Sequence, residues 1–392
     1  MRPKVLVHAV ICALVFAAAL PMALWAAPKY TILHGFTGGK DGGGLWGSLL
    51  LDGKGNVYGT TTGTVFELTP GADGSWHLTT LHRFHYPGKG GAGLTAGLIF
   101  DSVGNLYGTA QTGGAHGYGV VFELSPDAER WKETVLYAFR QPPGPYAGVI
   151  MDGAGNLYGT AGVAYELTHG SWNELVLHHF GKGNDGSGPV GLVMDSIGNL
   201  FGTTQGGGGS SNCDDGCGTV YELSPTPDGK WKETIVHRFQ ARWDGALPGV
   251  GALVLDAAGN VYGTANGGGT GAYGVIFRMS RGPSGRWRET VLYDIPGGTE
   301  GDEPSAGVVM DKAGNLYGTT IAGGDPLCGC GVVYELAPGA DGKWVYTVLH
   351  TFVGSDGAEP DANLILDDKG NLYGTTATGG PGGAGVAFEL TP

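Results

Sequence analysis

The sequence predicts an all-β protein, a seven-bladed β-propeller of four-stranded antiparallel blades whose ring is closed by the N-terminal strand joining the last blade. Three observations predict it. The string D-x-x-G-N-(L/V)-(Y/F)-G-T occurs seven times, beginning at Asp52, Asp101, Asp152, Asp195, Asp256, Asp311 and Asp367, at intervals of 43 to 61 residues. Each copy is followed by G-(V/T)-(V/A/I)-(F/Y)-(E/R)-(L/M), and six of these by a Trp-led segment, from Trp76, Trp131, Trp172, Trp231, Trp287 and Trp344. The seventh copy of that segment stands near the start of the chain instead, as Tyr30–Phe36. A chain that begins with the fourth strand of a repeat and ends with the third can close a ring and leave no exposed edge.

Each repeat reads as four short strands. Strand A is the apolar run before the Asp, as in AGLIFD; strand B is NLYGT; strand C is GVVFEL; strand D is WKETVLYAF. Between A and B, D-x-x-G-N is a tight turn in which Asp accepts local backbone N–H groups and Gly supplies a positive φ. Proline stops strand C at Pro70, Pro126, Pro225 and Pro338. No segment after the N-terminal 27 residues has a 3.6-residue period, so no helix is expected. A four-stranded sheet cannot bury both faces by itself, whereas seven packed around an axis can. A β-helix is the alternative architecture, but its rungs are shorter, about 20–30 residues, and it gives no reason for the circular shift.

Composition agrees. The 392 residues include 78 glycines and 21 prolines, about a quarter of the chain, a level that suggests disorder when it lacks a period. Here it is periodic, and 41% hydrophobic residues supply a large core. Residues 1–27 read as an export signal: Arg2 and Lys4 precede an apolar run from Val5 to Leu20, then Pro21 and the small residues Ala26 and Ala27. A retained membrane anchor over Val5–Ala27 is the alternative. Residues 28–392 are then a single propeller domain. Without the leader, 20 basic residues face 36 acidic ones, the 22 of the whole chain less Arg2 and Lys4. That excess of acid argues against nucleic acid and anionic membrane surfaces as partners.

The repeats GNLYGTT, GVVFELSP and WKETVLYAF resemble those of the bacterial GloVer tandem-repeat family over the whole mature chain. More loosely, they resemble propeller repeats of sensor-kinase ectodomains and of streptogramin-lyase-like enzymes. The first resemblance implies a repeat fold and brings no activity with it. Members often end in a sorting or anchoring segment, whereas this chain stops inside its last blade.

Because strands alternate in direction, the B–C and D–A loops share one face, and nearly all sequence variation lies there. Symmetry breaks most at blades 1 to 3, where a notch is expected among Trp46, His85, Tyr86, Lys89, His116, Tyr118, Arg140 and Tyr146. Trp46 and Trp243 are the tryptophans of the mature chain that fall off the repeat grid. Exposed aromatics on such a face stack on sugars or anchor a protein partner, or else cap the interblade core. His85 or His116 as general base, with Lys89 or Arg140 holding an anion, is the arrangement a lyase or hydrolase would use there. However, the sequence carries no G-x-S-x-G, H-E-x-x-H or phosphate loop.

The D–A loops carry Asp41, Asp185, Asp244, Glu300 and Asp356, each followed by Gly. They read as plain turn residues or as a cation-binding rim for Ca²⁺, which takes several oxygen ligands. His34, His82, His178, His237 and His350 share one repeat position, two before the end of strand D, and read as packing residues of separate blades. Cys213, Cys217, Cys328 and Cys330 read as disulfides, with local pairing, Cys213–Cys217 and Cys328–Cys330, preferred to bridging between loops or a Cys₄ zinc site. The function expected is an exported binding module for a glycan or protein, monomeric and without a required cofactor; a loop-face enzyme is the alternative.

Overall fold

The structure, a computed structural model, describes residues 27–85, 88, 90–127, 130–181, 184–249 and 251–392. The leader up to Ala26, Tyr86 and Lys89 lie outside the described residues. Seven separate antiparallel sheets follow one another along the chain, each ordered from an inner strand A to an outer strand D. The last sheet takes its outer strand from the other end of the chain: Lys29–Gly35 pairs with Val386–Thr391, with Ile32 opposite Phe388. The architecture is thus a seven-bladed propeller with the expected closure. Seven distinct sheets also dispose of the β-helix.

The A–B turn explains why its sequence repeats. In blade 2 the Asp101 carboxylate accepts the backbone N–H groups of Val103 and Asn105, both at 2.9 Å, and the Asn105 side-chain amide at 2.8 Å. The same bonds form at Asp52, Asp152, Asp195, Asp256, Asp311 and Asp367. Gly104 sits at φ 94°, where a side chain is strained. In strand B the glycine is a seat for an aromatic ring. A Cβ at Gly108 would lie 2.6 Å from Phe122, which is fully buried. Tyr165, Tyr221, Tyr334, Phe66, Phe277 and Phe388 fill the same layer in the other blades.

Two expectations change in detail. Strand A is shorter than its apolar run: it pairs over two residues in most blades, as at Ile99–Phe100, and is long only in blade 4, Gly186–Met194. The reason is that carbonyls just before it are used across the blade boundary. Thr60 Oγ1 donates to Ala96 O at 2.9 Å, Thr109 to Ala147 at 3.0 Å, Thr264 to Ala306 at 2.7 Å and Thr375 to Gly47 at 3.3 Å. The Thr of most G-T pairs is therefore an interblade clasp as well as a strand residue, whereas the hydroxyls of Thr160 and Thr319 are buried without a partner. Secondly, Gly298–Glu300 forms one 3₁₀ turn in a connection expected to be helix-free.

Candidate functional site at the axial mouth

Around the axis the chain comes so close that small residues are required. A Cβ on Gly251 would stand 1.8 Å from the Gly307 nitrogen, and one on Gly307 would stand 2.1 Å from the Ala252 carbonyl. Just outside this throat, on the face of the D–A loops, lies a cavity of about 240 Å³. Its wall is built from residues leading into strand A: Trp46, Thr95 and Tyr146 of blades 1 to 3, and Asp361 and Asn363 of blade 7. Trp46, Thr95, Tyr146, Ser305 and Asp361 occupy the same repeat position, six before the turn Asp, so the ring itself brings them to one mouth. Trp46 is half-buried and Tyr146 is 60% exposed. Thr95 Oγ1 donates to the Tyr146 carbonyl at 3.4 Å, joining two neighbouring walls.

The blade 7 side of the mouth is acidic. Burial pushes the Asp361 carboxyl up, the charges of Glu359 and Glu303 add to this, and the Ser305 side chain opposes it. Its Oδ1 is buried without a hydrogen-bond partner. Glu303 and Glu359 hold φ values of 59° and 57°, at the repeat position where Gly44 and Gly93 have 66° and 70°. Non-glycine residues are costly there, and such strain concentrates at functional sites. Sequence reasoning passed over Thr95, Asp361, Asn363, Glu303 and Glu359. The signal for Glu303, Glu359 and Asn363 is larger side chains in blades 6 and 7 at positions that most other blades fill with Gly or small residues; Thr95 and Asp361 share the position of Trp46 and Tyr146.

Of the residues expected to form a notch, the structure brings Trp46 and Tyr146 together on the cavity. His85 lies in a separate shallow recess of about 470 Å³ with Arg83, Thr62 and the glycines of the first D–A loop. His116, Tyr118 and Arg140 are exposed and outside both linings, and Trp243, 72% exposed, stands on the connection into blade 5.

The five loop carboxylates are distributed one per blade junction, each tied to its own connection. Asp41 accepts from the Thr37 backbone N–H at 2.9 Å and lies 3.6 Å from His34 Nε2. Asp185, Asp244 and Asp356 stand 3.1, 3.0 and 3.0 Å from the Nε2 atoms of His178, His237 and His350. Glu300 accepts from the Tyr293 hydroxyl. The histidines also stand edge-on to the Phe two residues later, as in His237–Phe239 at 4.8 Å. Burial pushes the Glu233 carboxyl up to about 8, with the hydrogen bond and charge of Asp185 adding and Arg238 opposing. Burial likewise raises Glu289 to about 7. The cysteines pair locally, Cys213–Cys217 and Cys328–Cys330, with Cα separations of 5.3 and 5.2 Å, each within one B–C loop. Among the described residues no helix is long and apolar enough to cross a membrane.

Fold and mouth together define a seven-bladed propeller module with a ring-shaped loop face. The chain belongs to the Gloeobacter/Verrucomicrobia repeat family, whose profile it matches over residues 22–162, 62–253, 145–297 and 213–392. A comparison with curated protein sequences finds no match. Among solved structures it is similar to a streptogramin B lyase, at 17% identity and a TM-score of 0.60 over 93% of this chain and 97% of that one. It is also similar to virginiamycin B lyase from Staphylococcus aureus, at 14% identity and a TM-score of 0.58 over 93% and 99%. At these identities the likeness concerns the fold alone.

Proposed function

We propose that this is an exported binding module that takes a neutral saccharide at the axial mouth. The carrying observation is the presence of Trp46 and Tyr146 on the wall of one small cavity, with Asp361 of the neighbouring blade 7 on the same lining. Aromatic faces suit the apolar faces of sugar rings, and a few convergent polar groups fix orientation. The orphan Oδ1 of Asp361 is an acceptor for a sugar hydroxyl. Its acidic neighbours Glu303 and Glu359 disfavour anionic ligands. His85 and His116, the two candidate bases, lie outside the lining, which favours binding over lyase or hydrolase chemistry.

Export rests on the leader and on two disulfides, which persist in oxidising compartments. The mature chain begins at Pro28, and N-terminal sequencing of secreted material checks this. The binding reading is tested on a glycan array with the wild-type protein and with Trp46→Ala/Tyr146→Ala. The expected result is a defined set of glycans bound by the wild type and lost in the variant. An unchanged set in a folded variant overturns the reading.

A further inference from the structure

The outer rim, away from the axial mouth, carries a second kind of chemistry. Each blade junction brings together the His or Tyr near the end of strand D and the residue at the position two after the Trp in strand D of the next blade, joined at five of the seven by the acid of the intervening D–A loop. At three junctions these side chains close on one another. Tyr293 stacks on Tyr346 at 4.5 Å, Tyr30 stacks on His350 at 3.9 Å, and the Tyr137 hydroxyl donates to Glu174 at 2.7 Å. At the junction of blades 7 and 1 the residue two after the Trp is Leu78. At the junction of blades 1 and 2 His82 Nε2 stands 3.1 Å from Glu133, whose other oxygen is buried without a partner, and the loop brings no second acid. Two junctions have all three groups. Blades 3 and 4 bring together His178, Asp185 and Glu233, and blades 4 and 5 bring together His237, Asp244 and Glu289.

We propose that these two junctions are a pair of binding sites for a divalent transition-metal ion of the zinc class, each using one imidazole nitrogen and two carboxylate oxygens from adjacent blades. In each group the ligand atoms all lie within 4.8 Å of one another. His178 Nε2 is 3.1 Å from Asp185 and 3.7 Å from Glu233; His237 Nε2 is 3.0 Å from Asp244 and 3.9 Å from Glu289. Metal–nitrogen and metal–oxygen bonds of about 2.0–2.2 Å put neighbouring ligand atoms at such separations, so small side-chain shifts suffice.

A second observation, made on the cluster's own carboxylates, supports occupancy. Glu233 Oε1, the oxygen facing His178, and Glu289 Oε1 are both buried without a hydrogen-bond partner. Oxygens shielded from water and left without a donor are open to an ion as their partner. The imidazole makes the set an N/O site, which suits zinc-class ions better than Ca²⁺ or Mg²⁺, with their all-oxygen shells. The His side chains keep about a fifth of their surface exposed, which leaves a path for the ion and room for water as a remaining ligand. An ion there ties blade 3 to 4 and blade 4 to 5 at the rim, as Thr264 ties 5 to 6 near the axis.

The test is zinc stoichiometry on the full chain. The protein is stripped with a chelator, titrated with ZnCl₂, and assayed for bound metal and for melting temperature. The expected result is two zinc ions per chain, one in His178→Ala or His237→Ala and none in the double variant, with the melting temperature raised by zinc most in the wild type, less in each single variant and not in the double variant. Glu233→Gln/Glu289→Gln keeps side-chain size, serves where the histidine variants do not fold, and lowers zinc affinity at least about 10-fold. Absence of stoichiometric zinc in the wild type, uptake unchanged in a folded double variant, or a response to Ca²⁺ in place of zinc each overturns the proposal.

Discussion

Thr264 of blade 5 donates its hydroxyl to the carbonyl of Ala306 in blade 6 at 2.7 Å, and both residues are buried. The equivalent hydroxyl of Thr160 is buried without a partner. The same residue in the same repeat thus stands in two energetic states. Thr264→Val leaves the Ala306 carbonyl unmet and costs about 1–3 kcal/mol. Thr160→Val removes an unsatisfied hydroxyl and is neutral or stabilising. Urea melts of the two variants check the contrast, and equal losses contradict the clasp.

The glycine throat gives a second prediction. Gly251→Ala places a methyl group 1.8 Å from the Gly307 nitrogen, against backbone that cannot rotate away. Its cost reaches or exceeds the upper end of the about 1–3 kcal/mol usual for overpacking. Gly53→Ala, with nothing within 4 Å, leaves the melting temperature unchanged.

Acid stability follows from the A–B turns. For Asp101, Asp152, Asp256 and Asp367 burial acts to raise the carboxyl, but the Asn amide and the turn N–H groups outweigh it and hold each below its ordinary 3.8. A depressed folded-state value stabilises the protein above the unfolded value, and that contribution disappears as pH falls through the folded one. The contribution of these four turns to the melting temperature is therefore flat above about pH 5 and falls away below about pH 4. Replacing all four with Asn makes that fall shallower; an identical slope contradicts the assignment.

Much of this was legible in the sequence, because a repeat reports what every blade needs. Asp101 and Asn105 are read as a turn from seven copies, and Tyr30–Phe36 as the closing strand from its displaced copy. Cys213 and Cys217, close in one loop, pair as their spacing suggests. What sequence does not show is convergence. Trp46 and Tyr146 drew notice as departures from the grid, yet their meeting with Asp361 across the chain depends on the closed ring. Glu233 is equally unremarkable until blade 4 lies against blade 3 and sets it beside His178. The strand A boundaries were misread for a related reason: the Ala96 and Ala306 carbonyls serve a neighbouring blade, which no local pattern reveals.

The axial mouth is tested most directly by binding isotherms for the strongest glycan from the array, using wild type, Trp46→Ala and Trp243→Ala. Both tryptophans stand on D–A connections off the repeat grid, but Trp46 alone of the two lines the cavity. The account predicts that Trp46→Ala weakens binding at least about 10-fold, roughly 1.4 kcal/mol, as loss of an aromatic anchor does. Trp243→Ala binds as wild type does. Loss of binding in Trp243→Ala with full affinity in Trp46→Ala would contradict the assignment of the site to the axis.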